Sequence, residues 1–93
     1  MKFMSTWTFQ GGGALSEAAA RFLAGEAAPE PGTTILGRWH NIDLSGGFLL
    51  FESTDPAAMY RGALKWADVL ELNTVPVVED ADAGAALAAR FKK

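Results

Sequence analysis

Two neighbouring stretches constrain this chain most: Leu36-Gly37-Arg38-Trp39-His40, and Gly46-Gly47-Phe48-Leu49-Leu50-Phe51-Glu52. With the turn Asn41–Ser45 between them they read as a β-hairpin. Side chains alternate across a strand, so Phe48 and Leu50 face one way and Leu49 and Phe51 the other. Both faces are apolar. A hairpin of this kind cannot lie open to water on one side, so it needs cover from two directions.

The rest of the chain supplies partners for it. Lys2–Phe9 reads as a first strand, with Phe3, Trp7 and Phe9 on one face and Met4, Thr6 and Thr8 on the other. Gln10-Gly11-Gly12-Gly13 breaks that strand. A glycine-rich loop before a helix suggests a phosphate cradle, but no GxxxxGK[ST] pattern is present, so a connector is the better reading. Ala14 to Gly25 is a helix with the apolar stripe Leu15, Ala18, Ala19, Phe22 and Leu23. Glu17 and Arg21 are spaced to pair on its outer face. Pro29 and Pro31 enforce an extended link to a second strand, Thr33–His40. After the third strand, Gly46–Ser53, Asp55-Pro56 is a helix cap followed by a first-turn proline. That helix is expected to reach about Leu70, with Met59, Ala63, Trp66, Ala67 and Leu70 inward. Gly62 in its middle suggests close approach of a neighbour. A fourth strand spans Glu71–Glu79, and Pro76 confines it to a sheet edge or a bulge. Asp80 and Asp82 open a last helix, Ala83 to about Phe91, in which Leu87 and Phe91 could dock onto the body or onto a partner.

The order β-α-β-β-α-β plus a helix is the ferredoxin-like split βαβ pattern, of the α+β class. Right-handed crossovers place strands one and three in the centre of a four-stranded antiparallel sheet. Both main helices then cover one face. The other face stays apolar and uncovered, and two such faces packed across a two-fold axis make a dimeric α/β barrel. At 93 residues one domain, 1–93, is expected. Hydrophobic residues are 49% of the chain, more than one small core readily buries, which again favours a subunit interface and a homodimer.

Four segments carry a resemblance: Phe3-Met4-Ser5-Thr6-Trp7-Thr8-Phe9, Leu36-Gly37-Arg38-Trp39-His40, Gly47-Phe48 and Val75-Pro76-Val77-Val78. Together the chain resembles a small bacterial family of unknown function, domain of unknown function 3303. That family is placed in the dimeric α/β-barrel, ferredoxin-like class. The resemblance implies this fold and a dimer. It brings no assigned catalytic residues.

Composition narrows the partners. A net charge of −3 argues against nucleic acid and against an anionic membrane surface. The basic cluster Arg90, Lys92 and Lys93 reads as favourable charge at a helix end. With no cysteine, disulfides, thiolate metal sites and cysteine nucleophiles are excluded. No apolar run approaches the ~20 residues of a membrane span and no signal-peptide pattern opens the chain, so a cytoplasmic location is expected.

His40 is the best single candidate for acid–base chemistry, and Asp43 in the next turn could orient it. A lone histidine gives no metal site, and neither metal nor cofactor is expected. Trp7, Tyr60 and Trp66, with Arg38 and His40, are the candidate ligand-binding set for a small aromatic or apolar molecule. The competing reading makes Trp7 and Trp66 plain core. Trp39 and His40 point to opposite faces, while Arg38 shares the face of His40. Arg38 could hold an anionic ligand or pair with Glu52 across the hairpin, and the pair is the favoured reading. Ser5, Thr6 and Thr8 could offer hydroxyls, with no base at a readable spacing. Three functions compete: a small-molecule-binding homodimer, a non-catalytic structural or regulatory dimer, and a cofactor-free monooxygenase-like or isomerase-like enzyme. A cavity of about 300 Å³ or more beside His40 and Trp66 is the discriminating expectation for the first.

Overall fold

The computed structural model describes residues 1–92. In order, its elements are β1 (Lys2–Phe9), α1 (Ala14–Leu23), β2 (Thr33–His40), β3 (Gly46–Ser53), α2 (Pro56–Leu64), β4 (Leu70–Val77) and α3 (Asp80–Phe91). The sheet order is β2-β3-β1-β4, with every neighbouring pair antiparallel. This is the ferredoxin-like arrangement that the element order implies. Pro76 lies on the edge strand β4, where its missing N–H costs no ladder bond to a further strand.

The register assigns the faces. Phe3 pairs with Phe51 and with Pro76, and Trp7 with Gly47 and with Leu72. Ser5, Trp7, Phe9, Leu49, Phe51, Leu70, Leu72 and Thr74 therefore share the face under α1 and α2. Met4, Thr6, Trp39, Phe48, Leu50 and Val75 share the opposite face, which no element covers among the described residues. Trp39, Phe48 and Val75 there are 55%, 43% and 46% exposed.

β2 departs from simple alternation. Ile35 pairs with Phe51 and Gly37 with Leu50, so Leu36 is one residue too many and forms a bulge. Before it, Thr33 and Ile35 face the helices; after it, Arg38 and His40 do. The bulge thus turns Arg38 and His40 inward and Trp39 outward.

α2 starts as the sequence implies. Asp55 Oδ1 accepts from the Ala57 N–H at 3.0 Å, with Pro56 next, a cap typically contributing about 1 kcal/mol. It stops at Leu64, six residues before the expected end. The chain tightens into turns between Lys65 and Val69, with Trp66 N–H donating to Ala63 and Val69 N–H donating to Trp66. Gln10 fixes this turn from the end of β1, its side-chain amide donating to the Ala67 and Leu70 carbonyls at 3.1 and 2.7 Å. Leu70 is thereby delivered to β4, where it buries as a strand residue. Arg21 clamps the same turn to α1. It pairs with Glu17 at 3.0 Å and with Asp68 at 2.6 Å, and also donates to the Lys65 carbonyl. β4 correspondingly begins at Leu70 and ends at Val77, earlier than expected, and α3 begins at Asp80.

Among the described residues the buried apolar ones are few and mostly small: Ala14, Ala18, Ala58 and Val69, with Leu70 and Phe51, and no large side chain is fully buried. Ala14, Ala18, Val69 and Leu70 gather at one end with Trp7, Phe9, Trp66 and Leu72 against them. α3 buries none of its side chains, leaving Leu87 and Phe91 58% and 67% exposed. Lys2 anchors its start, its ammonium 2.6 Å from Glu79. The long axis is 54 Å and the radius of gyration 15.8 Å, against about 12 Å for a compact chain of this length. α3 therefore does not dock onto its own body.

Two glycines behave in opposite ways. A Cβ on Gly47 would overlap the Trp7 ring and the Trp39 backbone, whereas on Gly62 it would meet only Glu30 Cγ at 3.7 Å. Gly62 is thus not held by close packing. Gly47→Ala is expected to cost about 1–3 kcal/mol by overpacking and Gly62→Ala to gain about 0.5–1 kcal/mol of helix propensity, both read by urea unfolding. Equal midpoints for the two variants would contradict this packing. Asp68 gives a pH test. Its carboxyl lies below the ordinary value because the Arg21 guanidinium donates to it. A carboxyl lowered on folding stabilises above its unfolded pKa, and that contribution is lost as pH falls through the folded value. Asp68→Asn should therefore blunt the loss of stability below about pH 4 in acid unfolding followed by circular dichroism.

Candidate functional site

The helix faces opposite the sheet carry short side chains: Ala18 and Ala19 on α1, Ala58, Gly62 and Ala63 on α2. Such residues cannot fill a layer between helix and sheet. A cavity of about 570 Å³ remains there, within the range of small-ligand sites. Its walls are mostly apolar: Trp7, Phe9, Leu49 and Phe51 from the sheet, Leu15 and Phe22 from α1, and Met59 and Trp66 from the second crossover.

One row of the sheet builds the aromatic end. Trp7, Gly47 and His40 lie side by side on β1, β3 and β2. Because Gly47 has no side chain, the Trp7 ring extends over it. That ring meets the imidazole of His40 edge-on, with centroids 5.5 Å apart at 79°. Phe22, at the end of α1, meets the same imidazole at 5.4 Å and 77°. His40 is thus held between two aromatic rings, although the residue as a whole is exposed. It makes no side-chain hydrogen bond among the described residues. Asp43, the expected orienter, instead accepts from the Ser45 N–H and hydroxyl at 3.0 and 2.6 Å within its own turn.

Arg38 stands beside this group. One guanidinium N–H, on Nη2, donates to the Ala27 carbonyl at 2.6 Å. Its carbon lies 5.5 Å from the centroid of the Phe22 ring, a cation–π distance. The pair with Glu52 does not form. Glu52 lies on the far face of the sheet, 4.0 Å from Lys2. The bulge at Leu36 is the reason, since it sends Arg38 to the helix side. No carboxylate among the described residues reaches Arg38, and burial pushes its guanidinium below its ordinary pKa. The cavity's other charges are matched: Glu30, 15% exposed, is 2.7 Å from the Lys65 ammonium, which lowers its carboxyl.

Of the residues singled out by sequence, Trp7, Arg38, His40 and Trp66 line the cavity. Tyr60 does not; it is 67% exposed on α2, away from the cavity-lining positions. Of the three hydroxyls on β1, Ser5 faces inward and hydrogen-bonds Thr74 across the sheet at 2.9 Å, whereas Thr6 and Thr8 are on the other face. No base accompanies the Ser5–Thr74 pair. Phe22 was legible only as part of a helical stripe; its position in the last turn of α1, opposite β2, is what makes it a site residue. Glu30 and Lys65 meet from two separate connections, and no spacing in the chain signals that. Among the described residues no group of three or more metal-ligating side chains is present, and no helix is long and apolar enough to cross a membrane.

Comparison with known proteins adds the following. A search of curated proteins finds no match. Among solved structures, the chain is similar to SnoaB, a cofactor-independent oxygenase from Streptomyces nogalater, at 18% identity and a TM-score of 0.44, over 84% of this chain and 92% of that one. It is similar also to a protein from Deinococcus radiodurans assigned as an antibiotic biosynthesis monooxygenase, at 15% identity and a TM-score of 0.46, over 85% and 94% of the two chains. The fold itself rests on the strand order and pairing above. A family described as Domain of unknown function (DUF3303) matches residues 1–91, nearly the whole length, and the chain belongs to that family.

Proposed function

We propose that this chain is a single-domain, small-molecule-binding protein that works as a homodimer. The observation that carries the binding half is the cavity of about 570 Å³ lying where a core would otherwise be, with Trp7, Phe22 and Trp66 in its walls. An interior left open by alanine and glycine loses the dispersion contacts that a filled core would have. A bound apolar molecule would supply them. Arg38 and His40 offer polar contacts at one end, and the hydroxyls of Ser5 and Thr74 offer others.

The dimer half is supported by the uncovered sheet face. Trp39, Phe48 and Val75 form an apolar surface there with Met4 and Leu50 alongside. Burial of such a face against a second copy follows the usual logic of exposed apolar patches. Leu87 and Phe91 on α3, unused by the chain's own body, would meet the same partner.

A cofactor-free enzyme is the second reading, and one feature favours it: His40 borders the cavity. A general base is normally set by a hydrogen-bonded partner, and His40 has none among the described residues. Binding is therefore the better-supported function.

Both halves have direct tests. The neutral fluorophore 1-aminoanthracene should bind saturably, and Ala19→Trp, which fills the cavity from α1, should weaken it about tenfold or more without loss of thermal stability. Absence of binding, or binding untouched by Ala19→Trp, would refute the cavity as the site. Light scattering at micromolar concentration should give twice the 9.9 kDa chain mass. Phe48→Glu should return it to that mass, and a monomeric parent protein would end the dimer proposal.

A further inference from the structure

Among the described residues, Arg38 is the one cavity charge without a counter-charge. The Glu30–Lys65 pair is internally balanced at 2.7 Å. Arg38 reaches no carboxylate among the described residues, and its recorded hydrogen bond is the single one to the Ala27 carbonyl. A guanidinium has five N–H donors in a rigid planar fork. No polar side-chain atom is both buried and unsatisfied among the described residues, so the remaining donors are accessible, and Arg38 lines the cavity. Two contacts fix the plane of that fork: the Ala27 carbonyl from the α1–β2 connection, and the Phe22 ring at 5.5 Å. The guanidinium is therefore oriented before anything binds. A cation held partly out of water among apolar walls is stabilised most by an anion that can take two of its N–H groups at once.

Resting on the binding function proposed above, we infer that the natural ligand is an apolar, ring-containing carboxylate whose anionic group sits on Arg38 while its body lies along Trp7, Phe22 and Trp66. The aromatic walls suit a flat body. The carboxylate geometry matches the guanidinium fork, as a single hydroxyl or amide would not. His40, on the same strand face as Arg38 and gripped by Trp7 and Phe22, borders the position of the carboxylate and can donate one further hydrogen bond to it.

The test compares anthracene-2-carboxylate with its neutral isostere anthracene-2-carboxamide, both followed by quenching of tryptophan fluorescence at pH 7.5. The parent protein should bind the carboxylate about tenfold or more tightly than the amide. Arg38→Met should bring that ratio to about one while the amide keeps its affinity. Arg38→Gln, which retains an N–H for the Ala27 carbonyl, serves the same purpose if the methionine variant folds poorly. Equal binding of the two probes by the parent protein would overturn the anion site and leave the cavity function standing. A preference for the carboxylate that survives loss of the Arg38 charge would overturn the assignment to Arg38. Failure of both probes to bind, together with failure of 1-aminoanthracene, would remove the cavity function and this inference with it.

Discussion

The rest of the structure depends on what the two crossover helices are made of. A helix packed on a sheet stands roughly 10 Å from it, and side chains from both layers must fill the gap. α1 and α2 turn Ala18, Ala19, Ala58, Gly62 and Ala63 to that gap, between the longer Leu15, Phe22 and Met59. Only where Val69, Leu70, Trp66 and Trp7 converge does the space close, at the end held by Gln10 and Arg21. Elsewhere the layers stay apart. The cavity is thus a consequence of side-chain length, and the ion pairs and turn contacts around Asp68 hold its closed end.

Within that frame two backbone features place the chemistry. The bulge at Leu36 reverses the alternation of β2, so that the strand's polar residues Arg38 and His40 turn toward the helices. Glycine at position 47 leaves a gap in the central strand that the Trp7 ring occupies to reach His40. Each acts at a distance from the groups it positions. Without the extra residue Arg38 would lie on the open face with Glu52, where an ordinary surface pair worth little could form. With it, the cation is confined to a cavity that contains no unpaired acid among the described residues.

The two faces of the sheet have become two different surfaces. One lines the cavity and mixes rings with a few polar groups. The other is a plain apolar sheet in which Trp39 and Phe48 sit across from each other on β2 and β3. α3 projects from the body beyond its Lys2–Glu79 anchor, its apolar residues unburied among the described residues. A chain of this composition has more apolar surface than its own two layers can cover.

By itself the sequence determined the elements and their order. Strand alternation, the Asp55-Pro56 cap and the glycine break after β1 are local signals, and each marks its element because it acts through neighbouring backbone. Sheet order followed from crossover handedness and from Pro76, and the family membership from short segments of residues. The inward facing of Trp7 and the opposite facing of Trp39 and His40 were also readable from alternation. Tertiary structure alone decided the rest. The α2 end at Leu64 is imposed by Gln10 and Arg21, which lie 54 and 43 residues away in the chain. The face that Arg38 takes is set by a bulge that appears only when β2 is aligned with β3. The cavity itself depends on the separation of packed layers. These are long-range effects, and spacing along a chain does not record the distance between groups that only folding brings together.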